Sequence, residues 1–324
     1  MQKITFLLVL FIFLFCSRLP QSVGKSRDVV IVGSQIDTTF VAQSLQIYNY
    51  MPQREPTFIF IFASDTILKR VKLFHSLFLC GSLQEEFILT LLNAEARNAT
   101  IRDTFNLFKV NDLWAKDQVV IILAAKEPRY IPLGLQKYQK IITKIFEENY
   151  YRKIKKQYYE TKIDQRIKRY LKRLGIEMDF TPGWLIDSTF ANENFIFIHA
   201  HYPDRSIFIY REKKTFELND STVIAKRDEL TKRYYNGDYI LKELTFIDSI
   251  EFQNMRGFRV KGVWQNDSLV AGGPFLSYFL VKEDTLYVID GMLFLPGERK
   301  TDFFATIEVI MNSFKILATG LTKD

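Results

Sequence analysis

The sequence predicts a mixed α+β and α/β architecture in tandem: an N-terminal α/β layer domain, a long helical connector and a C-terminal antiparallel sheet packed by helices. Three observations carry this. Short continuous apolar runs alternate with helical patterns as far as Pro128, the mark of strands buried inside a layered fold. A basic, helix-periodic stretch follows. Beyond Gly175 the rhythm changes to closely spaced runs divided by turn residues, the mark of hairpins.

In chain order, 28–33 (Asp-Val-Val-Ile-Val-Gly) reads as a buried strand, 39–50 as an amphipathic segment, and 57–62, 75–80 and 118–124 as three further strands. Pro128 and Pro132 punctuate the chain before a helical region that runs to Leu174, broken near Asn149-Tyr150. Tyr138, Ile141, Ile142, Ile145 and Phe146 share one face. Ile154, Tyr158, Ile163, Ile167, Leu171 and Leu174 continue the stripe, and Gly175 fits a helix C-cap. In the second half, 184–190, 194–200 and 206–211 read as strands. Asn219-Asp220-Ser221 offers a helix cap, and that helix runs to about Tyr235. Strands at 258–264, 269–281 and 285–294 are split by Asn266-Asp267 and Glu283-Asp284, and a last helix covers 301–314.

The first residues address the chain out of the cytoplasm. Lys3 gives one positive charge, 4–15 is an unbroken apolar run, and the chain turns polar after Cys16. A dozen apolar residues make an export-signal core but fall short of the roughly twenty a spanning helix needs. Two processing readings stand. Ser22-Val23-Gly24 offers small residues for cleavage after Gly24, giving a soluble periplasmic chain from Lys25. Alternatively Cys16 becomes a lipidated N-terminus that tethers the protein to a membrane. The organisation is then 1–16 signal peptide, 17–27 tether, 28–130 N-terminal α/β domain, 131–175 basic helical region and 176–324 C-terminal α+β domain.

Apolar residues form 48% of the 324-residue chain and charged residues 25%, as in a folded globular protein. Cys80 is the only cysteine beyond the signal. Preceded by Leu77-Phe78-Leu79, it reads as a buried, inert thiol. Between Gln139 and Leu174, twelve cations face four anions, a surplus of eight that exceeds the whole chain's net charge of +7. The basic character is therefore local. Lys153, Lys155, Lys156, Arg166, Lys168 and Arg169 are its candidate contacts with an anionic surface; a solvated helix face is the plainer reading. Nucleic acid is not an expected partner of an exported protein.

The remaining constellations carry little chemistry. His199 and His201 share one face of a strand with Asp204 near, but no third ligand has convincing spacing, so no metal is assigned. Gly272-Gly273-Pro274 interrupts a strand close to Trp264, which makes these four residues a candidate ligand cleft; a kinked strand is the alternative. Gly-x-Ser-x-Gly, His-Glu-x-x-His and a phosphate-binding glycine loop with Lys are absent, and Gly33-Ser34 lacks the further glycines of a dinucleotide turn. Asp248, Glu251, Asp290 and Glu298 cannot be paired from sequence. No catalytic residue and no cofactor is assigned.

An ordered series of motifs resembles an uncharacterised lipoprotein family of Bacteroidota envelopes, a domain of unknown function, family 4837. The motifs are Leu19-Pro20-Gln21-Ser22-Val23-Gly24-Lys25, Asn111-Asp112-Leu113-Trp114-Ala115, Ile207-Phe208-Ile209-Tyr210, Ala225-Lys226-Arg227-Asp228, Gly262-Val263-Trp264 and Gly272-Gly273-Pro274-Phe275. The resemblance implies a lipidated cysteine just before the Leu-Pro segment, where Cys16 stands, and it implies no catalytic residues. Thr181-Pro182-Gly183-Trp184 and Asn312-Ser313-Phe314-Lys315 make the second half similar to the PsbP/Mog1 type of sandwich, whose members act mostly as accessory binding modules. The expected function is a periplasm-facing, membrane-anchored lipoprotein that binds or assembles with an envelope protein. The alternatives are a hydrolase with an unrecognised site in the C-terminal domain or interdomain cleft, and an anionic-lipid-binding protein acting through the basic helix.

Overall fold

The computed structural model describes residues 19–317 apart from 34–36 and 236. Cys16 and the leader lie outside the described residues, as do Ser34 and Asn236. Among the described residues no helix is long and apolar enough to cross a membrane. The chain divides into two compact units, one formed by 1–41 and 60–138, the other by 42–59 and 139–324.

The first half runs β1 (Asp28–Val32), α1 (Thr38–Leu45), β2 (Tyr48–Tyr50), β3 (Arg54–Pro56), β4 (Ile59–Ala63), α2 (Leu68–Val71), β5 (Ser76–Ser82), α3 (Glu86–Leu91), α4 (Ala94–Asp103), β6 (Phe105–Asn111), β7 (Val119–Ala125) and α5 (Ile131–Glu160). In the first unit a five-stranded sheet has the order β4-β1-β5-β7-β6. Strands β1, β5 and β7 run parallel, and β6 returns antiparallel along β7. The parallel strands are buried at every position. That is why they read as continuous apolar runs. Val30, Val32, Leu77, Leu79, Val120 and Ile122 pack with Ile88, Leu92 and Ala96 from α3, its following turn and α4. Cys80 lies fully inside, and burial raises its thiol far above the ordinary value, as an inert cysteine requires.

The second half adds α6 (Gln165–Arg173), β8 (Ile176–Glu177), β9 (Leu185–Asp187), β10 (Phe195–Ala200), β11 (Asp204–Lys213), α7 (Asp220–Tyr234), β12 (Tyr239–Phe252), β13 (Met255–Asn266), β14 (Ala271–Lys282), β15 (Thr285–Phe294), α8 (Thr301–Met311) and β16 (Lys315–Ile316). Seven strands form one antiparallel sheet in the order β12-β13-β14-β15-β11-β10-β9. Alternation sends Phe208, Val260, Phe275, Phe279 and Val288 toward Val223 and Leu230 of α7. The opposite face of β15 receives α8. Gly291 has no side chain because a Cβ there would collide with Ile307 and come within 2.7 Å of Met311 Sδ. The second unit is thus an antiparallel sheet between helices, the expected α+β sandwich.

Several elements depart from expectation. The helical region breaks at 161–164, not near Asn149-Tyr150. Asn149 is buried and Tyr150 donates to Asp302 Oδ1 at 3.0 Å, so both sit in an unbroken turn of α5. The break falls instead where Asp164 accepts from Arg166 N (2.8 Å) and starts a new helix. Strands β6 and β12 went unseen. An N-terminal unit unbroken over 28–130 also gives way, because 42–59 groups with the second unit. There Phe58 meets Phe146 edge-on, and Glu55 accepts from Lys300 N (3.0 Å), Thr301 N (3.1 Å) and Thr301 Oγ1 (2.7 Å). A carboxylate thereby caps the N-terminus of α8.

Candidate functional site

The polar centre of the second unit is built on α7. Asn219 and Thr222 exchange hydrogen bonds at its start, each side-chain oxygen accepting from the other's backbone N–H. The helix then turns Val223, Arg227, Leu230 and Thr231 inward. Arg227 is fully buried, as is Asp290 in β15. Arg227 Nε donates to Asp290 Oδ2 at 2.7 Å, and its guanidinium lies 3.9 Å from the Phe275 ring centroid. Ser277 Oγ also donates to Asp290. Charges this deep persist only when paired. Arg227 Nη1 and Trp264 Nε1 remain without an acceptor among the described residues.

Around this pair burial raises the titration of three neighbouring groups. Tyr235 donates to Ser206 Oγ (3.3 Å), and burial pushes its phenol well above 10. Asp238 accepts from Asn266 Nδ2 (2.7 Å) and Asp228 accepts from Ile240 N (3.0 Å). Burial raises both carboxyls, against the lowering pull of those hydrogen bonds and of Arg227. These contacts lock the end of α7 to the start of β12. The centre is a packed structural lock in which the Ser277 hydroxyl and the Asp290 carboxylate are both fully buried.

Above it lies an end of the sheet where several turns converge. The pairings Asp204↔Phe294, Phe275↔Met292 and Asn266↔Ala271 place the β10–β11 turn, the end of β15 and the β13–β14 turn on the same side. Tyr202 in the first turn is 98% exposed; Leu269 and Val270 in the other are 63% and 91% exposed. Asp204 opens β11 after the first turn, and Asp267 lies in the other, where it accepts from Tyr239 Oη at 3.1 Å. His201 Nδ1 donates to Asp204 Oδ1 at 2.7 Å.

The sequence-derived candidates fall as follows. Trp264, Gly272, Gly273 and Pro274 lie side by side on β13 and β14. Trp264 is 5% exposed, and β14 runs straight along β13 with Trp264 opposite Gly273. A Cβ on Gly273 would strike the Leu293 carbonyl and lie 3.1 Å from Trp264 Nε1. The glycines admit the indole; they do not bend the strand. His199 and His201 do lie together, with ring centroids 5.2 Å apart. Among the described residues no group of three or more His, Cys, Asp or Glu is arranged to hold a metal. Of the basic candidates, Lys168 is engaged by Glu177 (2.6 Å) and Asp179 (3.1 Å), and Arg166 by Asp164 and the Trp184 carbonyl. Lys153 and Lys156 also have partners, whereas Lys155 and Arg169 are exposed.

Arg227 and Asp290 were not singled out together. The signal was present: an arginine in the apolar stripe of α7 and an aspartate on the inward parity of an otherwise apolar strand.

Residues 161–313 match the model of a family described as a domain of unknown function, DUF4837. The match includes Arg227, Asp290 and both hairpin turns; the motifs quoted from the first half lie outside it. No curated protein matches the chain. Among solved structures the chain is similar to cyanobacterial PsbP (CyanoP) from Synechocystis sp. PCC 6803, at 11% identity and a TM-score of 0.32, over 44% of this chain and 88% of that one. It is also similar to a protein of Bacteroides thetaiotaomicron VPI-5482, at 9% identity and a TM-score of 0.27, over 45% of this chain and 47% of that one.

Proposed function

We propose that this chain is an exported, membrane-tethered accessory protein that binds an envelope protein through the hairpin end of its second unit. One observation carries the reading: Tyr202, Leu269 and Val270, at 98%, 63% and 91% exposure, project from two turns at the same end of a rigid sheet. Single apolar residues on a surface need no explanation. A tyrosine and two aliphatic side chains on neighbouring turns above a locked core are the arrangement by which a scaffold presents contact residues. Asp204 and Asp267, on the same two turns, favour a partner whose apolar sockets are bordered by basic side chains. The apolar leader at 4–15 followed by Cys16 supports export and a lipid tether.

The test uses the native chain with Ser268→Cys carrying a photo-crosslinker; Cys80 is buried and does not compete. Irradiation of envelope extracts yields one discrete adduct. That adduct disappears with Leu269→Ser/Val270→Ser and persists when exposed residues elsewhere are changed. Adducts that survive the double substitution overturn the hairpin assignment. Mass analysis of the mature N-terminus reads the tether: an acylated Cys16 supports it, and a chain starting at Met1 or Lys25 refutes it.

A further inference from the structure

We propose that the outward face of α6, extended by Lys315 of β16, docks on a layer of anionic lipid headgroups. The inference deepens the membrane-tethered reading and rests on it for the choice of a bilayer over a soluble polyanion.

Helix α6 holds five cations and no anion in nine residues. Its orientation is fixed. Asp164 caps it, and Ile167 and Leu171 are fully buried. Lys168 is drawn down to Glu177 and Asp179, and Arg166 is turned to the Trp184 carbonyl. Two of the five cations therefore serve the fold. The other three, Arg169, Lys172 and Arg173, are exposed, and their side chains make no hydrogen bond or ion pair among the described residues. They sit at i, i+3 and i+4, on one face.

The patch extends beyond the helix. Lys315 pairs across the β8–β16 ladder with Glu177. It is exposed and likewise without an ion-pair partner among the described residues. Glu177 is held below the ordinary carboxylate value first by its hydrogen bond to Lys168, then by the charges of Lys168, Lys315 and Lys172. The nearby acid is thus already engaged by Lys168. A merely solvated face mixes signs, as α7 does with exposed Asp220, Glu229, Lys232 and Arg233. The α6 face does not.

Interaction with an anionic bilayer is worth about a fivefold gain in partitioning per surface cation. Such a contact adds a second signal to the lipid tether, and two signals anchor more stably than one.

The experiment uses the full chain bearing Cys16→Ser, so that no acyl chain is attached and the result is independent of the tether. Partitioning is measured onto vesicles of phosphatidylcholine and of phosphatidylcholine mixed with phosphatidylglycerol. The apolar leader contributes to both, so the ratio between them is the readout. The ratio is high at low salt and falls as salt rises. Arg169→Gln/Lys172→Gln/Arg173→Gln lowers it about a hundredfold. A control of equal charge change, Lys213→Gln/Lys232→Gln/Lys242→Gln, leaves it within a few fold. Equal binding to both vesicles overturns the proposal, as does an equal loss in the control. Displacement by inorganic phosphate or soluble polyphosphate at equal charge concentration assigns the face to free phosphate and also overturns it.

Discussion

Arg227 carries more of the second unit's specificity than its single ion pair suggests. It contacts Asp290, stacks on Phe275 and lies 3.0 Å from Met292 Sδ, while Nη1 has no acceptor among the described residues. Removing one member strands the other as an uncompensated charge. Arg227→Met or Asp290→Leu is expected to cost about 3–5 kcal/mol, whereas the double substitution is expected to be near neutral or stabilising. Urea unfolding of the two singles and the double reads this directly. Additive losses would mean that the pair is not the lock described here. The residues themselves were visible in sequence, but their pairing was not. They stand 63 positions apart, and only the β14–β15–β11 register brings β15 beneath α7. Trp264 and its neighbouring glycines illustrate the opposite error. Their residue types fit a ligand cleft, a kinked strand or a packed indole alike, because an occupied space looks the same in sequence as an empty one.

At the scale of elements, burial on both faces decided what could be read. Strands β1, β5 and β7 are buried throughout and were legible as apolar runs. Strands β6 and β12 are the edges of their sheets beside β7 and β13, with exposed or half-exposed positions throughout most of their length. Lys242, Glu243, Asp248 and Glu251 break the apolar pattern of β12, as edge strands do to resist pairing with another chain. The junction between β12 and α7 is also where pH should act. Asp228 and Asp238 bind protons more tightly folded than unfolded, because burial penalises their charge. Their contribution favours folding fully below the ordinary value of 3.8 and is lost as pH rises through the raised folded values. Asp238→Asn should therefore leave stability near pH 4 almost unchanged and raise it toward about pH 7, measured as urea midpoints across that range. A variant that weakens uniformly with pH would show that the ionised carboxylate is needed at this junction.

At the scale of the molecule, the second unit is not a contiguous half of the chain. It draws 42–59 from between strands of the first unit's sheet. This segment supplies three unlike contacts within the second unit: Phe58 against Phe146, Asn49 Oδ1 accepting from Lys261 Nζ at 3.0 Å, and Glu55 at the first N–H groups of α8. Each would be missing from a fragment cut by sequence at the family match or at the connector. Residue 55 is 245 positions from the Lys300 it caps, so no local pattern announces the dependence. A fragment of 139–324 should fold, since its sheet and α7 lock are complete. It should nevertheless be destabilised relative to the same unit in the full chain, by more than the roughly 2 kcal/mol that a charged helix cap alone supplies. Full-length Glu55→Ala separates the cap from the rest. It should lose about that smaller amount, with amide exchange faster at Lys300 and Thr301 and unchanged in β5 and β7. If the fragment matches the full chain in exchange protection along α8, then 42–59 merely lies against the second unit without completing it.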